Sequence, residues 1–284
     1  MNERIRQTHI WFWLTLPIAI LLTIAAGGGV FISGLYHDTP SFVAQAVGQD
    51  FISLAVVLPT LIVTAMLAGR GSLRARLVWL GALVYVVYTY VVAAFDVSFN
   101  SLFLVYVALL GCSLYALIGG LVTADVIGIK ACFTEKTPVK AISIYLAVLG
   151  VLFSFLWLSE IVPALLAGAI PQSLRENGTP TNAVHVLDMA WILPALGITA
   201  GSLWRKQALG YTLAGALLSY IVLLTLAILS MVVVMVREGH PIVVPQAVIF
   251  GALFAISLGM LMWYLKGLKS RPIPSGRPLP AKAT

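Results

Sequence analysis

Apolar runs of about 20 residues recur eight times along the chain, each bounded by turn or charged residues. A helix that crosses a bilayer needs about 20 mainly apolar residues. Such runs lie at Trp11–Ser33, Phe51–Gly69, Leu77–Phe95, Leu102–Ile127, Ala141–Trp157, Val184–Trp204, Thr212–Val236 and Val244–Leu265. The connectors carry breaker residues such as Asp38-Thr39-Pro40, Arg70-Gly71-Ser72 and Asn177-Gly178-Thr179-Pro180, as water-exposed turns do. The pattern predicts an all-α polytopic membrane bundle of eight transmembrane helices in one integral-membrane domain over 1–284. The proline-rich segment 266–284 reads as a disordered cytoplasmic tail.

Composition narrows the class. Of 284 residues, 61% are hydrophobic and 10% charged, whereas soluble domains are about 25% charged. That balance excludes a soluble enzyme, a disordered chain and a disulfide scaffold. The first run exceeds the usual length of a secretory signal core, so it is expected to remain as an anchor. Cys112 falls in a span and Cys132 in a connector, leaving no extracytoplasmic disulfide and no CxxC motif.

Charge distribution orients the bundle. Alternate connectors divide the 17 Lys and Arg into fifteen on one side and only Arg175 and Arg237 on the other. Basic connectors are retained in the cytoplasm, so both termini are expected there, in a multi-pass protein of the cell (cytoplasmic) membrane. The formal charge of +7 is spread over short connectors and needs no nucleic-acid partner. Trp11, Trp13, Trp79, Trp204 and Trp263 near inner ends, and Trp157 near an outer one, read as interfacial anchors.

A shift of 135 residues lays Leu58–Ala65 over Leu193–Ala200 with five identities in eight, and Arg70 over Arg205. With one residue of slippage Gly81-Ala82-Leu83 meets Gly215-Ala216-Leu217. This suggests a four-plus-four duplication with repeats 1–140 and 141–265. Repeats with an even number of spans run parallel about an axis along the membrane normal. Pro59 and Pro194 then fall at equivalent mid-span positions, each deleting a backbone bond to the carbonyl four residues earlier.

Polar residues inside or near the apolar layer mark the candidate chemistry. At about 100° per residue, Gln49, Ser53, Thr60 and Thr64 share one face of the second span with Asp50 at its margin. His185, Asp188 and Thr199 share one face of the sixth, and Tyr85, Tyr88, Thr89 and Asp96 one face of the third. The candidate binding residues are Asp50, Ser53, Tyr88, Asp96, Glu160, His185 and Asp188, expected to converge on an outward-facing anionic pocket. Loop acids Asp38, Glu176 and Glu238 read as solvated, and Asp125 as ion-paired with Lys130 or a nearby loop lysine.

No P-loop, GxSxG or HExxH motif occurs. The one local ligand pair, His185 with Asp188, is too sparse for a zinc site, and no histidine lies mid-span for haem. No catalytic residue, metal or cofactor is therefore assigned. The expected function is a carrier or binding protein for a small cationic or amphipathic solute, with the lipid bilayer as its surroundings. Two alternatives stand beside it. One is an intramembrane enzyme acting on a lipid-linked substrate, with His185 and Asp188 in acid-base work. The other is a non-catalytic subunit bound to a membrane-protein partner or to its own copies through the Gly197 and Gly201 GxxxG spacing.

Overall fold

A computed structural model describes residues 10–240 and 244–269. It contains eight helices long and apolar enough to span a membrane. They are α1 (Ile10–Phe31), α2 (Pro40–Gly69), α3 (Leu73–Phe95), α4 (Phe103–Val122), α5 (Val139–Leu166), α6 (Ala183–Trp204), α7 (Ala208–Arg237) and α8 (Val244–Lys266). The only strand-like pairing among the described residues is an isolated bridge between Phe133 and Leu268. Of the segment 266–284, read as a disordered tail, Lys266 ends α8 and Gly267, Leu268 and Lys269 pair with the α4–α5 connector, so the tail does not begin at Lys266; residues 270–284 lie outside the described residues.

The three largest boundary differences from the sequence reading are at the start of α2 and the ends of α4 and α5. Helix α2 starts at Pro40 rather than Phe51, because Pro40 sits at the first helical position, where a missing N–H costs nothing. Helix α4 stops at Val122, and Asp125 caps a separate short helix, Val126–Ala131, by accepting from the Gly128 N–H at 3.0 Å. Asp125 is thus a helix cap, where a carboxylate beside free N–H groups gains from the helix dipole, and among the described residues it forms no ion pair with a lysine. Helix α5 continues through Pro163 to Leu166.

The prolines of α2 and α6 have the same consequence. Each follows one wide π turn, Ser53–Val57 and Asp188–Ile192, in which Leu58 N–H bonds to Ser53 O and Leu193 N–H to Asp188 O. Widening the turn accommodates the bond that Pro59 and Pro194 cannot make. These segments lie 135 residues apart. So do the turns that follow. Ser72 N–H bonds to Leu67 O with Gly71 at φ +92°, and Gln207 N–H bonds to Ser202 O with Lys206 at φ +53°.

Helices α3 and α7 form the centre. Both are buried along most of their length and pack closely on each other. Gly81 permits the approach: a Cβ there would strike α7 backbone, 3.0 Å from Tyr220 N and closer still to Ala216 O. Helices α2 and α6 flank this pair, with α1 and α4 outside one half and α5 and α8 outside the other. Trp79 is fully buried in α3, donating to Thr15 Oγ1 at 3.0 Å and packing on Phe12. Its expected role as an interfacial anchor is therefore wrong; Trp13, Trp204 and Trp263 are the exposed ones.

The two ends of the bundle differ. At the basic end Arg74 Nη2 and Nε donate to Leu268 O and Leu265 O at 2.6 and 3.0 Å, closing the end of α8. Thr134 N–H and Lys269 N–H bond to Gly267 O and Cys132 O, latching the α4–α5 connector to α8. At the acidic end Asp38 accepts from Ser98 N and Oγ at 2.9 and 2.7 Å. That carboxylate ties two connectors together and is not merely solvated.

Candidate functional site

Three of the expected acids meet at one cavity. A hollow of about 280 Å³ lies between α2, α3, α4, α5, α6, α7 and α8, and Asp50, Asp96 and Asp188 all line it. The remainder of its wall is aromatic and apolar with a few amides, and includes no Lys, Arg or His.

Asp188 begins the π turn of α6 and is buried. Its Oδ1 accepts from the Tyr88 hydroxyl at 3.1 Å and its Oδ2 from Trp157 Nε1 at 2.8 Å. One carboxylate thus joins α3, α5 and α6. Tyr220 of α7 stacks obliquely on Tyr88 with ring centroids 5.6 Å apart. Trp157 is a wall residue of the cavity rather than an interfacial anchor, since its N–H is turned inward to the acid.

Asp50 lies on the opposite half, in the last turn before the α2 π segment. Its Oδ2 accepts from the hydroxyl of Tyr36, which belongs to the α1–α2 connector. Burial and the Asp50 charge push the Tyr36 phenol far above its usual range, so it remains the donor. Next to Asp50, Gln49 donates to Thr89 Oγ1 of α3 at 2.7 Å.

Asp96 ends α3, and its Oδ2 accepts from the Ala183 N–H at the start of α6 at 2.8 Å. Burial raises its carboxyl above the usual range, opposed by that backbone hydrogen bond. The α3 stripe is accordingly shared between neighbours. Tyr85 and Thr89 serve α2, whereas Tyr88 and Asp96 serve α6.

The other candidates sit behind the wall. Ser53 is fully buried, donating to Gln49 O at 2.9 Å and lying 3.2 Å from the Tyr85 hydroxyl. Thr60, Thr64 and Thr199 are absent from the lining. The π turns add a residue to the helical count and rotate everything after them by roughly 100°. Thr64 instead bonds back to Thr60 O.

His185 and Asp188 do not form the expected couple. Three residues leave about 60° between side chains on a helix, enough to send them to different neighbours. His185 Nε2 lies 3.7 Å from Glu160 Oε2 of α5, and its ring packs on Trp157 at 4.6 Å. Glu160 Oε1 accepts from the Ser173 N–H at 2.9 Å. The pair borders the cavity only through Trp157.

Sequence reasoning missed Tyr36, Tyr90, Tyr106 and Tyr220, all of which line the cavity. The unslipped 135-residue shift places Tyr220 on Tyr85, but the slippage that aligns Gly81 with Gly215 places it on Val86, so the repeat gave no firm signal for it. The other three come from a connector and from helix faces with no polar periodicity. No group of three His, Cys, Asp or Glu at metal-binding spacing occurs among the described residues. Compared with protein-family models, with curated proteins and with solved structures, the chain finds no match.

Proposed function

We propose that this multi-span membrane protein is a carrier or binding protein for a small organic cation, held at the Asp188 and Asp96 end of an anionic cavity that Asp50 also lines. The observation that carries the reading is the charge of the cavity: three carboxyl groups and no basic side chain on an aromatic wall. An uncompensated carboxylate away from water costs several kcal/mol, so the cavity favours a cation that neutralises it. Tyr88, Trp157 and Tyr220 add aromatic faces, and cation–π contacts contribute about 0.5–2 kcal/mol each. A substituted ammonium group with apolar substituents suits both features, and about 280 Å³ suits a small solute.

In this reading the bundle sits with its basic end in the cytoplasm of the cell membrane, and the cavity faces the other side. The recurrence of π turns and left-handed turns at 135-residue spacing supports parallel repeats 1–140 and 141–265, with the cavity near their axis. The assembly reading retains one supporting observation. Gly197 and Gly201 face open space on α6, so α6 offers a smooth surface to a partner helix or a second copy.

The test is binding and uptake of radiolabelled tetraethylammonium by purified protein in detergent and in proteoliposomes. Saturable binding, weakened roughly tenfold or more in Asp188→Asn, is expected. Absence of saturable binding in the wild type, or wild-type binding in both Asp50→Asn and Asp188→Asn, would remove the proposed roles.

A further inference from the structure

The Asp50 end of the cavity differs chemically from the Asp188 end. Asp188 has a donor on each oxygen. Asp50 has the Tyr36 hydroxyl on Oδ2 alone. Two further phenols, Tyr90 and Tyr106, line the same region with their rings 6.0 Å apart. Each is only 2% exposed; the Tyr90 hydroxyl has no partner, and the Tyr106 hydroxyl, which faces Asn100 and Tyr36, makes no hydrogen bond of acceptable geometry with either. Both lie within electrostatic reach of Asp50. Gly29 of α1 closes the remaining side: a Cβ there would overlap Asp50 Oδ2 and lie 2.6 Å from the Tyr36 oxygen.

Two costs coincide at this spot. A buried hydroxyl with no partner costs about 1–3 kcal/mol, and a buried carboxylate without a counter-charge costs several more. A water molecule would satisfy the phenols and leave the charge. A proton on Asp50 would remove the charge and leave Tyr90 and Tyr106 unsatisfied. A small inorganic cation meets both demands, since it neutralises the carboxylate and takes lone pairs from the phenol oxygens. Hard oxygen donors select hard ions. A single carboxylate balances one positive charge, whereas a divalent ion would leave an excess of one in the same dry space.

We infer that Asp50, Tyr36, Tyr90 and Tyr106 form a binding site for a monovalent inorganic cation of the sodium class, separate from the Asp188 end where the organic solute is placed. The site does not depend on the organic-cation reading. It lies among α1, α2, α3 and α4, and its occupancy can be read without any solute.

The experiment measures thermal unfolding of the purified full-length protein in sodium chloride against caesium chloride of equal ionic strength, caesium being too large for a sodium-sized site, together with binding of radioactive sodium. A saturable rise in Tm with sodium is expected in the wild type. It should be lost in Asp50→Asn and in the double variant Tyr90→Phe with Tyr106→Phe, and retained in Asp188→Asn. The double variant removes only unpartnered hydroxyls, so folding should survive and the readout remain available. No sodium-specific rise in the wild type, or an unchanged rise in the double variant, would overturn the inference. No tetraethylammonium binding by the wild type, with its sodium response intact, would count against the organic-cation reading alone.

Discussion

Removing one donor from Asp188 tests whether that carboxylate holds three helices together. In Trp157→Phe the ring volume is largely kept, but the 2.8 Å bond from Nε1 to Asp188 Oδ2 is lost. A hydrogen bond to a charged group contributes about 1.5–3 kcal/mol in soluble proteins. Interhelical bonds within a membrane average about 0.6 kcal/mol and reach about 1.7. The acid has a second donor, Tyr88 at 3.1 Å, so it is not stranded by the change. A cost of about 1–1.5 kcal/mol is therefore expected, near the top of the membrane range. Tyr88→Phe should cost slightly less, because its bond is longer. The assay is reversible unfolding by a denaturing detergent, run as a cycle in which each variant is also made in the Asp188→Ala background. There the hydrogen-bond portion of both costs should vanish, leaving only a small packing difference. Equal destabilisation by Trp157→Phe with and without Asp188 would show that packing, not the carboxylate, secures the α5–α6 junction.

Two further predictions follow from the same contacts. Asp96→Asn should alter the pH dependence of stability in a defined direction. Burial raises the folded carboxyl above its unfolded range, so its contribution is fully present below about pH 4 and declines as pH rises through the folded value. Thermal unfolding of wild type and variant across that window should show wild type losing stability relative to Asn as pH rises, and a gap that widens in its favour would contradict the assignment. Gly81→Val would push a branched side chain onto α7 backbone, and overpacking of this kind costs about 1–3 kcal/mol. A variant with unchanged Tm would mean that α3 and α7 are not in close contact.

The sequence alone determined that the protein is a bundle of eight apolar helices, because burial in lipid demands uninterrupted apolar length and internally satisfied backbone, and both are local properties. It also singled out Asp50, Asp96 and Asp188, which line the cavity, since an ionisable group at the edge of an apolar run stands out against its neighbours. Periodicity failed beyond Pro59 and Pro194, where one extra residue per turn rotates the rest of the helix and takes Thr64 and Thr199 away from the cavity. Partner choice was likewise decided in three dimensions. His185 turned to Glu160 and Asp188 to Trp157 and Tyr88, because pairing depends on which neighbouring helix presents a donor at the right height. The tyrosines around Asp50 come from separate elements with no shared spacing, so only the packing of α1 to α4 could assemble them.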